Sequence, residues 1–325
     1  YIEWPIIKQS FFSIFSIIFI LCFLSFAIVM SLGGGPQNST LEVAIYQSVF
    51  FELNFNKAIT LSILQIIICS IFLIIGFLSL KGSNYFDIQI DDFEYIFNKN
   101  KLILFIDIFI IAIFSAFFFS PIIFILTNFL QNIIYAKIFF NLYFIYAFIN
   151  SIILSISSSL IITIFGLIIS LILVSVRSNL IKQQLLFFLT STILVVSPII
   201  ISLGYFLILG DLRYIIFVNY IVVIIINCIF ILPFSIIVFF TKLKNIFLNF
   251  NEIKESFQIS DINFFIIIFP LIKKNILFVF SFSAALSFGD FTIISFFKSD
   301  SFQTLPTLLY KLIITYRFDE AKIVA

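Results

Sequence analysis

The chain has 325 residues, of which 62% are hydrophobic and 10% charged, with a mean hydropathy of +1.26. Soluble domains carry charge on about a quarter of their residues, so this composition excludes a water-soluble globular protein and describes a polytopic, all-α membrane protein. There is no His, the three Cys stand singly in apolar runs, and the net charge is only +2, which argues against a metal or redox centre and gives no reason to expect a nucleic-acid partner.

Seven apolar stretches are long enough to cross about 30 Å of hydrocarbon at about 1.5 Å per residue. In chain order they cover 9–31, 57–80, 102–126, 148–176, 184–209, 214–240 and 275–297, and an eighth would begin near Ala321. Gly33, Gly34, Gly35 and Pro36 follow the first as a helix terminator and turn, and the run lacks the Lys-Ser/Thr ending of a phosphate-binding loop. After the second span comes the polar stretch 81–101, with Asp87, Asp91, Asp92 and Glu94, which reads as a cytoplasmic linker. Pro198, Gly204 and Pro233 predict kinks within the fifth and sixth spans.

Two stretches about 264 residues apart are versions of one another. Trp4, Pro5, Ile6, Ile7 and Lys8 match Phe269, Pro270, Leu271, Ile272 and Lys273, and Leu24, Ser25 and Phe26 match Leu286, Ser287 and Phe288. Further on, Thr40, Leu41, Ile45, Tyr46 and Gln47 match Thr304, Leu305, Leu309, Tyr310 and Lys311, and Phe55 with Ala58 matches Phe318 with Ala321. Five spans lie between the spans of the two copies, so both cross in the same direction and the halves are parallel, related by an axis along the membrane normal. About 160 residues of membrane sequence precede the second copy and almost nothing precedes the first. Residues 1–80 are therefore expected to be the last two spans of an incomplete first half, 81–101 the linker, and 102–325 a second half without its final span.

Lys and Arg set the orientation, because cytoplasmic loops carry the positive excess. With the N-terminus inside, the inner segments hold 11 of them and the outer segments 5. The longest inner loop is then 241–275, which contains Glu252, Ile253, Lys254, Glu255, Ser256, Phe257, Gln258, Ile259 and Ser260 and closes on Pro270. As a short helix it places Ile253 and Phe257 on one apolar stripe, with Glu252 and Lys254 at the rim, a form suited to a groove in a partner. A solvated amphipathic loop is the other reading of these residues.

The loop resembles the EAA loop of ABC importer permeases, in which Glu, two small residues, three variable ones and Gly are followed by Pro. Glu252 takes the place of the motif Glu, Gln258 of the Gly and Pro270 of the Pro, while Ile253 and Lys254 replace the two alanines. The flanking segments resemble thiamine ABC transporter permeases: Leu32 to Gln37 with Thr40 to Gln47, Ser287 to Phe291, Asp300 to Pro306, and Leu309 with Tyr310, Tyr316 and Arg317. Pro198 with Gly204, and Asn227 with Pro233, agree as well. Iron(III) permeases share part of this pattern, and an ATP-independent secondary transporter with parallel halves is the alternative from another class.

The resemblance implies a type I ABC importer permease of the bacterial inner membrane. It would bind no cofactor and have no ATPase site of its own. A cytoplasmic ABC ATPase dimer would spend the ATP, and a periplasmic binding protein would deliver thiamine or its phosphates. Glu252, Ile253, Lys254, Ser256, Phe257, Gln258, Ser260 and Pro270 would couple to the ATPase. Of the polar residues in the apolar stretches, Asp290 and Asn227 are the candidates for the pathway. Asp107 lies near a span end where snorkelling relieves it, and Ser155, Ser157, Ser158 and Ser159 form a small-residue stripe suited to helix packing.

Overall fold

A computed structural model describes residues 11, 15–33, 39–79, 101–131, 133–175, 195–257, 260–299 and 302–325. Trp4 and Pro5, Gly34 to Pro36, the linker 81–100, the stretch 184–194 and Gln258 lie outside the described residues.

Among the described residues the chain is helical without strands. Five helices are long and apolar enough to cross a membrane: Phe55–Gly76, Leu104–Phe129, Leu142–Val174, Ile216–Phe247 and Asn263–Phe288. The pair α1 (Phe15–Phe23) and α2 (Phe26–Leu32), bent by 48°, is long and apolar enough to be a sixth if the two are taken as one span. The bend follows from Ser25, whose backbone is extended and whose hydroxyl donates to the Cys22 carbonyl at 2.7 Å, satisfying a group that the broken ladder leaves open.

Next come α3 (Leu41–Phe50), α4 (Phe55–Ser79), α5 (Lys101–Gln131), a 3-10 segment Ile133–Phe140 and α6 (Leu142–Ser175). They are followed by α7 (Pro198–Leu209), α8 (Ile216–Ser256), α9 (Asp261–Phe288), α10 (Ile294–Phe297), α11 (Leu305–Ile314) and α12 (Phe318–Val324).

The structure corrects three expectations. Pro198 does not kink a span: it occupies the first turn of α7, where a missing N–H costs nothing, and the Ser197 hydroxyl accepts from Ile200 N at 3.3 Å as the cap. The described part of the expected fifth span is thus a short helix. The seventh span ends at Phe288 rather than 297, because Gly289 caps α9 and the chain turns at Asp290. The stretch 241–275 is helical on both sides of a break at 257–260, so α8 runs on unbroken through 41 residues.

Two apolar cores organise the helices. One gathers Phe26, Val43, Ile45, Tyr46, Val49, Ala58, Leu154, Ile199, Val223, Ile226, Phe291, Phe296 and Phe302, and so joins the first copy to the second at the α11 end of the molecule. The other lies at the opposite end, within α6, α8 and α9, and includes Leu173, Phe239, Phe240, Leu243, Phe264, Ile268 and Ile272. Between them α6 and α8 make the most extensive helix contact, and at Gly166 they leave no room for a side chain. A Cβ added there would stand 2.2 Å from Ser235 Oγ and 2.9 Å from Ser235 Cβ. Ser170, one turn on, donates to the Gly166 carbonyl at 2.6 Å and reaches the Ile236 carbonyl at 3.4 Å. Small residues one turn apart let two backbones meet in a membrane, where no hydrophobic force brings helices together.

The duplication reappears in the backbone. α3 and α11 start one residue after the matched Thr40 and Thr304, and α4 and α12 start at the matched Phe55 and Phe318. Each turn between them holds a non-glycine residue with positive φ, Leu53 at 51° and Tyr316 at 59°. A conformation that costs L-residues energy, kept at both matched places, marks one turn used twice. Since α2 leads to α3 and α9 leads to α11 at the same end, the spans of the two copies run in parallel.

Candidate functional site

The sequence singled out two regions, and they lie at opposite ends of the bundle. The first is the tip of the hairpin formed by α8 and α9. Phe247 and Phe264 meet edge to face at 5.3 Å, and Leu243, Ile246, Phe264 and Ile268 are buried between the two helices. The tip therefore projects from a packed base. Glu252, Ile253 and Lys254 lie in the last turns of α8, and Ser256 and Phe257 end it. Phe257 is 74% exposed, a large apolar ring left largely uncovered by the described residues. Ser260 caps α9, its hydroxyl accepting from Asn263 N at 3.4 Å. Pro270 does not close the segment; it is exposed on the body of α9, well beyond the break.

The second region is the turn after α9, where the two copies meet. Gly289 N–H returns to the Ala285 carbonyl at 3.1 Å, and Asp290 Oδ1 then accepts from Thr292 N at 3.0 Å and Ile293 N at 3.3 Å. Asp290 is therefore a turn former, placed just past the helix end. Its Oδ2 is buried without a hydrogen-bond partner, and burial outweighs the two N–H donors and pushes the carboxyl up to about 7.

The turn leads into a buried segment, Phe291 to Phe297, that is pinned from α8, and the chain beyond it is held from α6. Asn219 Nδ2 donates to the Phe297 carbonyl at 3.5 Å. Asn150 Nδ2 donates to the Gln303 carbonyl at 2.9 Å, the Tyr220 hydroxyl donates to Asn150 Oδ1, and Leu305 N donates to Ser151 Oγ at 2.9 Å.

Four aromatic rings carry the contact between copies. Tyr46 and Phe26 lie 5.3 Å apart, Phe26 and Phe291 5.8 Å apart with planes only 11° from parallel, and Phe291 and Tyr310 4.8 Å apart. Each copy supplies one Phe and one Tyr. Sequence alignment paired Phe26 with Phe288, yet the ring that answers Phe26 in space is Phe291, because the turn at Asp290 advances the chain past the helix end. A cavity of about 330 Å³ opens beside this stack, lined by Ala27, Ser31, Phe288, Phe291, Leu305 and Tyr310 among others.

Asn227 lies apart from that cavity's lining, on a chain of hydrogen bonds through the bundle. Asn227 Nδ2 donates to Ser287 Oγ at 3.1 Å, and the Ser158 hydroxyl donates to the same oxygen at 2.8 Å, tying α6, α8 and α9 together. This gives the serine stripe its expected packing role at Ser158. Asn227→Ala should therefore cost about 0.6 to 1.7 kcal/mol, measured by unfolding in detergent.

Sequence reasoning assigned no role to Phe291, Gly166 or the buried pair Glu42 and Gln65, although Phe291 and Glu42 fall within the stretches that resemble thiamine permeases. A lone Gly four residues before a Ser in an apolar span is the pattern that could have marked Gly166.

No protein-family model matches the chain. It is similar over its whole length to thiamine transport system permease proteins: 30% identical to ThiP of Haemophilus influenzae over 331 residues, 100% of this chain and 60% of that protein. ThiP of Brucella abortus strain 2308 is 29% identical over 98% of this chain and 59% of its own length. ThiP of Escherichia coli K12 is 23% identical over 100% of this chain and 61% of its own. The chain thus spans about three-fifths of the length of these relatives.

Proposed function

We propose that this chain, a multi-pass membrane protein and a full-length match to part of the thiamine transport permeases, is the translocating subunit of an ATP-driven thiamine importer in the bacterial inner membrane. The relatives' shared name supports thiamine over iron(III). In this reading the α8–α9 tip faces the cytoplasm, in keeping with the distribution of Lys and Arg, and the α11 end faces outward.

The observation that carries the coupling role is the exposed Phe257 at the end of a helix that crosses the membrane without a break. A cytoplasmic ABC ATPase would receive the tip in a groove, Phe257 as its apolar anchor and Glu252 and Lys254 at the rim. The nucleotide would be bound and hydrolysed by that subunit, and this chain would catalyse no covalent step. A binding protein would dock on the outer segments around α11 and release its cargo where the two copies meet. ATP-driven closure would then move the halves between outward and inward states.

The test is uptake of labelled thiamine by the natural gene product with its ATPase and binding protein. Phe257→Ala is expected to remove an aromatic anchor of about 2 kcal/mol, weakening ATPase binding about thirty-fold and lowering uptake in step. Full ATPase binding and full uptake in both Phe257→Ala and Glu252→Ala would overturn the coupling role. Uptake that survives ATP depletion and stops with the ion gradient would establish a secondary transporter instead.

A further inference from the structure

One buried titratable group has no part in that mechanism. Glu42, in the first turn of α3, has no exposed surface and packs against Gln65 of α4, which is equally buried. Gln65 Nε2 donates to Glu42 Oε1 at 2.9 Å. The remaining oxygen of each side chain, Glu42 Oε2 and Gln65 Oε1, is buried with no hydrogen-bond partner. If Glu42 is ionised, both atoms are acceptors and neither can satisfy the other. A single proton on the carboxyl supplies the donor that both lack.

The surroundings favour that proton. Burial is the dominant influence on the carboxyl and pushes it up to about 7, opposed by Gln65 and the hydroxyl of Ser197, and among the described residues no cation contributes. Ser197 stands near the carboxyl from the cap of α7 but does not meet hydrogen-bond geometry at Oε2. The elements packed on α3 bring Cys69 and Lys57 on α4, with Lys57 engaged by Glu52, Tyr205 on α7, Tyr220 on α8, and Asp290 and Tyr310 from the second copy, whose segments meet α3 through Tyr46. α2 brings none, and Tyr46 lies on α3 itself.

We infer that Glu42 is carried as the neutral carboxylic acid, donating from Oε2 to Gln65 Oε1 while Gln65 Nε2 donates back to Oε1, and that this closed acid–amide pair is a proton-dependent latch fastening α3 to α4. Ionisation breaks one of the two hydrogen bonds and leaves a charge without a partner. The latch belongs to the first copy alone, because Pro306 stands at the matched place in α11. It is therefore no requirement of the duplicated fold.

The pair binds a proton that the unfolded chain releases near the ordinary value of 4.5, so its contribution is complete below that pH and is lost as pH rises through about 7. Glu42→Gln tests this, since glutamine mimics the neutral acid and its own Nε2 can donate to Gln65 Oε1. In the purified natural protein the variant should match wild type in Tm at pH 5 and exceed it by about 2 to 4 °C at pH 8.5. The infrared difference between wild type and variant at pH 5 should show the carbonyl stretch of a protonated acid, absent at pH 8.5. A variant less stable than wild type at pH 8.5, or a carboxylate band at pH 5, overturns the inference. Should Glu42→Gln fail to fold, Gln65→Met leaves the acid without its amide. Its carbonyl band should then shift, and an unmoved band overturns the pairing.

Discussion

Phe26→Ala is expected to destabilise the protein by about 3 to 5 kcal/mol, the cost of emptying a buried aromatic site. Phe26 is 1% exposed and lies between Tyr46 of its own copy and Phe291 of the other, so its removal opens the core where the copies join. Phe291→Ala should cost less, because that ring is less completely enclosed. The double substitution should fall short of the sum by about 0.5 to 1.5 kcal/mol, the energy of the shared ring contact. Unfolding in detergent, followed by near-ultraviolet circular dichroism, measures all three. Strict additivity would mean that the parallel rings do not interact.

Gly166→Ala should cost about 1 to 3 kcal/mol, and Gly166→Leu should prevent assembly of a folded protein. Rotating the Ser235 hydroxyl relieves the contact at 2.2 Å but leaves the one at 2.9 Å to Ser235 Cβ, so α6 and α8 must separate. Separation would also stretch the reach of Ser170 to the Ile236 carbonyl. Ser235→Gly removes both obstructing atoms and should restore most of the stability of Gly166→Ala. Thermal unfolding of the single and paired variants checks this, and failure of the rescue would place the damage elsewhere.

Much of this architecture was legible in the sequence because hydropathy and duplication are properties of whole segments. The spans expected at 57–80, 102–126 and 148–176 overlap α4, α5 and α6 closely, and the matched landmarks Thr40 with Thr304 and Phe55 with Phe318 fall at helix starts. What escaped was decided by single residues acting on the backbone. Ser25 bends the first apolar stretch, Pro198 opens a helix, and Gly289 with Asp290 ends α9 early. Hydropathy averages over such points, since the residues around them are equally apolar. The candidate site was less legible still. Phe26 and Phe291 are two of 50 Phe, and only the fold distinguishes the pair that meets. Asp290 was conspicuous as a carboxylate, but its bonds to Thr292 and Ile293 depend on a turn that composition does not reveal.

The unbroken course of α8 has a mechanical consequence. At about 1.5 Å per residue its 41 residues make a rod about 60 Å long, twice the thickness of the hydrocarbon. Pro233 interrupts its ladder once, since the Ile229 carbonyl receives no N–H from it, and gives the rod a single soft point. That point lies two residues from Ser235, against which Gly166 of α6 leaves no room for a Cβ. Joint and fulcrum thus coincide, and roughly 5° of tilt there carries the Phe257 end through about 3 Å. Force applied at the tip would reach the far side of the membrane as leverage about α6.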